Sequence, residues 1–231
     1  MSESEKPKFM RQVRSFVLRE GRMTKGQQRA MDEIFPTMGL EYKAEPIDFS
    51  SLFGNDKPVV LEIGFGMGKS LAEQARQNRD INYVGIEVHR PGVGACLLLA
   101  EEFELTNLRV INHDAVEVID NMIAENSLHG VQIYFPDPWH KKKHHKRRIV
   151  QPDFINRVAK KVASKGFLHL ATDWENYAEH MLEVMQQVSG WDNQSSSNDY
   201  IERPDSRPIT KFEVRGQKLG HGVWDLMFQR Q

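Results

Sequence analysis

Asp137 stands between two prolines in Phe135-Pro-Asp-Pro-Trp139, and the nine residues that follow, His140 to Arg148, are all His, Lys or Arg. Pro136 and Pro138 fix their own φ and restrict the residue before each, so the carboxylate rides on stiff backbone. A rigid acid beside a dense cationic run suits a site lip whose lysines and arginines contact the phosphates of a polyanion. The plainer readings are a turn-forming Asp and a solvated basic face, with a localisation signal as a third. His140, His144 and His145 offer i,i+4 spacing for one pair, but six cations crowd them and no third ligand is evident, so no metal is expected. Trp139 offers either a stacking face or an ordinary packing wall.

A second cluster surrounds the glycines of "LEIGFGMGKS". Gly64, Gly66 and Gly68 permit a tight turn and a close ligand approach; a dinucleotide, a phosphate and S-adenosylmethionine are all candidates, as is simple packing. A phosphate-cradling P-loop requires glycine where Ile63 stands, and the dinucleotide spacing requires its third glycine one residue later than Gly68. Three acids decide among the remainder. Glu87 in "GIEVH" has the placement of a bidentate acceptor for ribose hydroxyls, Asp114 in "NHDA" that of an acceptor from an adenine amino group. Glu62 lies inside an apolar run, where it needs either a buried partner or a donor-rich, cationic ligand. Acids around a glycine turn suit a ligand with ribose, amine and positive charge and no phosphate, which describes S-adenosylmethionine.

These residues need a scaffold that gathers strand ends. Short apolar runs over 58–64, 82–88, 108–114, 131–137 and 166–173 alternate with helical stretches. That rhythm predicts a parallel sheet covered by helices on both faces, with ligands at the carboxyl ends of the strands. Two further runs, 209–216 and 222–229, have no helix between them and predict one antiparallel edge strand. Thr24 is a candidate N-cap for a short helix in "TKGQQRAMDEIF", and 193–199 reads as a surface loop.

The chain has 231 residues, with 31 Lys and Arg against 32 Asp and Glu, so its net charge of −1 says nothing of partners. The distribution does: residues 1–30 hold eight Lys/Arg against three Glu, and the basic run holds six with no acid. We read 1–30 as a basic, flexible segment and 31–231 as a single domain that presents two cationic patches to a polyanion. A single cysteine, Cys96, excludes an intrachain disulfide, and no run approaches the length of a membrane span or a secretory signal. A cytoplasmic enzyme is the expectation; monomer and homodimer both stay open.

Taken in order, "RSFVLREGRMTKGQQRAM", "LEIGFGMG", "GIEVH", "FPDPWHKKKHHKRR", "TDWENYAEHM" and "RPITKFEVRGQKLGHGVWDL" resemble the signatures of the bacterial tRNA (guanine-N7-)-methyltransferases, which modify the variable-loop guanine at position 46. The resemblance spans nearly the whole chain. It implies an α/β, Rossmann-like methyltransferase sheet of seven strands with an antiparallel edge strand. It assigns Glu62, Glu87, Asp114 and Asp137 to the S-adenosylmethionine site, beside Gly64, Gly66 and Gly68, and makes Asp137 the catalytic residue. Lys141, Asp173, Thr210, Lys211, Phe212 and Glu213 carry over as substrate contacts. The basic run carries over as an RNA-interacting segment, with Lys142, Lys143, Lys146, Arg147 and Arg148 as its cations. Of these, Asp173 and Thr210–Glu213 come from the resemblance alone.

Overall fold

Strands buried on both faces are mostly apolar, and Val59–Ile63 (β2) and Asn82–Ile86 (β3) are buried at every position. In the computed structural model, which describes residues 14–16, 21–209, 213 and 222–231, they lie at the centre of a mostly parallel sheet. The other strands are Gly39–Leu40 (β1), Leu108–Ile111 (β4), Leu128–Tyr134 (β5), Val162–Thr172 (β6), Trp191–Asn193 (β7) and Trp224–Arg230 (β8). Among the described residues the order is β1-β4-β3-β2-β5-β6-β8-β7. From β2 the chain steps outward to β3 and β4, then crosses back to place β5 on the other side of β2. Leu61 is thus paired in parallel with Val84 on one side and Val131 on the other. The carboxyl ends of β2 and β5 part at this reversal, which is where a crevice opens in such sheets.

The helices are Lys25–Arg29 (α1), Phe35–Met38 (α2), Phe49–Phe53 (α3), Lys69–Gln77 (α4), Arg90–Glu102 (α5), Ala115–Asn121 (α6), Pro152–Lys161 (α7) and Glu175–Gln187 (α8). One sheet face packs against Val118, Ile155, Val158, Tyr177 and Met181 of α6, α7 and α8. The other packs against Leu71 and Ala75 of α4, Cys96 and Leu97 of α5, and Ala30, Met31 and Ile34 in the π-helical stretch between α1 and α2. Thr24 caps α1 in a reciprocal capping box with Gln27. Gln27 is buried beneath α5, where a Cβ on Gly94 would meet its carbonyl oxygen. A domain boundary at residue 30 therefore falls inside a helical segment that packs on the sheet domain.

The strand count also departs from expectation. β8 is antiparallel to β6 as the sequence indicates, but β7 pairs antiparallel with it, so β8 is not the edge. β7 has three residues and β1 two, too short for either to show alternation in the sequence. The strand expected over 209–216 falls outside the described residues apart from Ile209 and Glu213. Among the described residues, no helix is long and apolar enough to cross a membrane.

Candidate active site

The loop after β2 is shaped by its glycines. Gly64, Gly66 and Gly68 have φ of 74°, 58° and 75°, a region costly for residues with a Cβ. A Cβ on Gly68 would collide with Cys96 of α5, and one on Gly92 would collide with the Gly66 carbonyl, so α5 packs directly on this loop. Gly64 and Gly66 are different: a Cβ there would meet nothing within 4 Å. Their backbone faces open space. Glu87, just beyond β3, fastens the loop, with Oε2 accepting from Gly66 N at 2.8 Å and Oε1 from His89 N at 2.9 Å. Each carboxylate oxygen has room for a second donor.

A cleft of about 370 Å³ opens here. Gly64, Glu87 and His89 form one side, Phe135, Pro136 and Asp137 the other, with Ile133 and His113 between and Ser15 and Phe16 completing it. Glycine backbone, a carboxylate and apolar walls fit a ligand with ribose hydroxyls and no phosphate, as S-adenosylmethionine requires.

Asp137 sits on backbone stiffer than its prolines alone impose. Phe135 and Trp139 both have φ of 49°, left-handed values for bulky residues, and Phe135 also precedes a proline. Phe135 is held by a bond from its N–H to Ala171 of β6 at 2.8 Å. Asp137 Oδ1 accepts from Trp139 N at 3.1 Å, and the carboxylate is exposed. Trp139 donates its indole N–H to the Ser15 carbonyl at 3.2 Å.

The basic run divides in two. Lys142–Arg147 form a 3₁₀ helix on which Lys142, Lys143 and Lys146 are exposed, as is Lys141 before it. The arginines turn inward. Arg147 donates to the carbonyls of Arg14 (3.0 Å) and Phe16 (2.9 Å) and stacks 3.9 Å over the Trp139 ring. Arg148 is 2 % exposed; it donates to the carbonyls of Pro138 and Asn176 and to Asn176 Oδ1, and it covers the Tyr177 ring. The expectation that Arg148 contacts RNA is corrected: its guanidinium is committed to holding Pro138 and α8 together.

Beyond β6 lies a buried ionic network. Arg207, fully buried, donates to both oxygens of Glu213 (2.8 and 3.2 Å) and of Asp225 (2.6 and 2.8 Å). Burial opposes its charge, but the two carboxylates more than compensate and hold its pKa above the ordinary value. Burial lowers His169, so the ring is neutral and bridges Asp225 and the Tyr134 hydroxyl, at 2.8 Å each. The Arg207 guanidinium also lies 5.4 Å from the Phe135 ring, at the root of the Asp137 loop.

A family model described as "Putative methyltransferase" matches residues 56–226. A tRNA (guanine-N(7)-)-methyltransferase of Serratia proteamaculans is 63% identical over 227 residues, covering 98% of this chain and 95% of its own length. The protein of that name from Vibrio cholerae is 60% identical, with 98% and 95% covered. The chain belongs to the tRNA (guanine-N7-)-methyltransferase family. Among solved structures, the 16S rRNA methyltransferase KamB matches with a TM-score of 0.58 at 17% identity, over 79% of this chain and 92% of that one. The aminoglycoside resistance methyltransferase NpmB1 matches at 0.50 and 14% identity, over 75% and 87%. At such identities the likeness speaks for the fold, a methyltransferase sheet.

For this member of the tRNA (guanine-N7-)-methyltransferase family, the structure brings Gly64, Glu87 and Asp137 onto one cleft and places other expected residues beside or behind it. Asp114 caps α6, its Oδ1 accepting from Val116 N at 2.9 Å, between two cleft residues, His113 and Ala115. Glu62 lies within β2. It is 3 % exposed and off the cleft wall, and its Oε2 accepts from Gln74 at 3.3 Å. Burial, then the charge of Glu87, pushes its pKa up to about 8, so an isolated Glu62 is mostly uncharged at neutral pH. Asp173 follows β6 and is half-buried at the carboxyl edge. Glu213 is 3 % exposed and bound to Arg207, whereas Thr210, Lys211 and Phe212 lie outside the described residues. Sequence reasoning gave no role to His89 and His113, both on the cleft wall, because a lone histidine carries no pattern. Among the described residues no group of three or more His, Cys, Asp or Glu is arranged to hold a metal ion.

Proposed function

We propose that this protein transfers the methyl group of S-adenosylmethionine to N7 of the variable-loop guanine, position 46, of tRNA, in the cytoplasm. The observation that carries the reading is one cleft, at the reversal of strand order, that joins an open glycine backbone and Glu87 to an exposed, rigidly held Asp137. The names of relatives that match nearly end to end support the same acceptor.

S-adenosylmethionine, when bound, supplies an electrophilic methyl group on a sulfonium. Glu87 would hold it through ribose hydroxyls, using the acceptor capacity that Gly66 and His89 leave free. Gly64 and Gly66 leave room against the backbone, and Ile63, Ile86 and Ile133 exclude water. Guanine N7 already has a lone pair and no proton, so no side chain needs to act as a base. What remains for the protein is position and electrostatics. Asp137 accepts from the guanine's donor edge and faces the positive charge that spreads through the purine as N7 becomes quaternary. Asp173 assists at the neighbouring strand end. Glu213 acts from behind, through Arg207, and Lys141, Lys142, Lys143 and Lys146 hold the phosphates. The test is to incubate the protein with labelled S-adenosylmethionine and unmodified tRNA, digest, and identify the base. Label in 7-methylguanosine from the variable loop supports the reading; label in another base, or transfer to rRNA in preference, refutes the acceptor.

A further inference from the structure

Arg147 lies in the basic run, yet its hydrogen bonds point at the other end of the chain. Nε and Nη2 donate to the carbonyls of Arg14 and Phe16, and the Trp139 indole donates to the carbonyl between them, Ser15. Three consecutive carbonyls are therefore taken by two side chains that stack on each other at 3.9 Å. The segment so held is not remote from the chemistry: Ser15 and Phe16 line the same cleft as Glu87 and Asp137. These three side-chain hydrogen bonds tie residues 14–16 to the loop that carries Asp137. Trp139 is in turn tied to Asp137 through its own N–H.

We propose that Arg147 and Trp139 are positioning residues that clamp residues 14–16 as a wall of the cofactor cleft, so that one member of the basic run governs affinity for S-adenosylmethionine. The inference rests on the cleft being the cofactor site. It separates Arg147 from Lys142, Lys143 and Lys146, which are exposed. An arginine is suited to the task because its planar guanidinium presents donors from separate nitrogens in a fixed geometry and stacks on an aromatic ring, whereas a lysine offers one nitrogen and no flat face. Linkage then follows. If tRNA phosphates draw on Arg147, tRNA and cofactor must alter each other's affinity by the same factor.

The experiment is calorimetric titration of the full chain with S-adenosylmethionine, and with S-adenosylhomocysteine, in the absence of RNA. Arg147→Ala removes two bonds that order the wall and is expected to weaken both ligands by about tenfold or more. Arg147→Lys keeps the charge and is not expected to restore them. Phe16→Ala, which changes no charge, weakens them as well, whereas the Lys142→Ala, Lys143→Ala, Lys146→Ala triple variant leaves them at the parental value. Unfolding curves of the ligand-free variants are compared with the parent's; if Arg147→Ala melts early, Trp139→Phe, which deletes the donor to Ser15 and narrows the ring under Arg147, takes its place. Parental affinity in Arg147→Ala or Phe16→Ala overturns the clamp, as does equal weakening by the lysine variant. Should the parent bind neither ligand, the cofactor reading of the cleft fails first, and that result is distinct from a clamp that fails in a protein that binds normally.

Discussion

The two halves of the site are built from different materials. On the β2–β3–β4 side, backbone does the work: a glycine loop, helix α5 packed against it, and one carboxylate fastened to two N–H groups. On the β5–β6–β8 side, arginine side chains do it, with Arg207 ion-paired to Glu213 and Asp225 and Arg148 hydrogen-bonded to Pro138 and to Asn176 of α8. The difference suits the ligands proposed for each. A small cofactor of fixed shape is recognised by a fixed cradle of main chain. A base delivered by a large RNA needs a carboxylate held to an orientation, and the prolines, the left-handed Phe135 and Trp139 and the buried guanidiniums together remove the freedom of the Asp137 loop.

Breaking the acceptor half should therefore be costly without touching the cofactor half. Arg207→Met strips buried Glu213 and Asp225 of the guanidinium that is bonded to both. Denaturant unfolding should show a loss of about 3–5 kcal/mol, the scale seen when one partner of a buried pair is removed. A loss below about 1 kcal/mol would mean the network is not holding this edge of the sheet. Asp137→Ala, by contrast, touches an exposed residue. It should fold normally and lower single-turnover methylation of tRNA by at least about a hundredfold, comparable to removing one preorganised charge partner of a transition state. Near-parental turnover would remove Asp137 from the mechanism.

Much of the cofactor half was legible in the chain itself. β2, β3, β4 and β5 are short, mostly apolar runs, and an acid or glycine just past the end of such a run can be placed without coordinates, so Gly64, Glu87 and Asp137 were readable as neighbours at one sheet edge. The acceptor half was not, for a reason of distance. Tyr134, His169, Arg207, Glu213 and Asp225 meet only once β5, β6 and β8 are side by side, and nothing local in any of them announces the others. Charge runs also carry no direction. "HKKKHHKRR" reads as one cationic face, but the 3₁₀ turn sends its lysines outward and its arginines inward. Glu62 illustrates the same limit: its strand position was clear, but which side of the sheet received it was not.

Two smaller effects sharpen the contrast. Replacing Lys142, Lys143 and Lys146 with Ala should weaken tRNA binding and lower the slope of log affinity against log salt by roughly one for each lysine that contacts a phosphate, with nitrocellulose or fluorescence binding across a salt series as the readout. An unchanged slope would make these lysines bystanders. Glu62 gives a pH signature. Its pKa rises from an ordinary 4.5 to about 8 on folding. The folded state then holds a proton that the unfolded state has released, and stability falls as pH rises between those values and levels off above them. In Glu62→Gln that fall should be shallower, as judged by urea midpoints at pH 5.5 and pH 7.5, roughly the two ends of this window. Parallel pH profiles for parent and variant would show that the carboxyl titrates normally.

The most direct trial of the whole account is calorimetry of the purified full chain with S-adenosylmethionine. The account predicts saturable binding at one site per chain, weakened by about tenfold or more in Glu87→Gln, whose amide sets a donor against the N–H of Gly66 or His89. Absence of binding by the parent protein, or undiminished binding by Glu87→Gln, would contradict it.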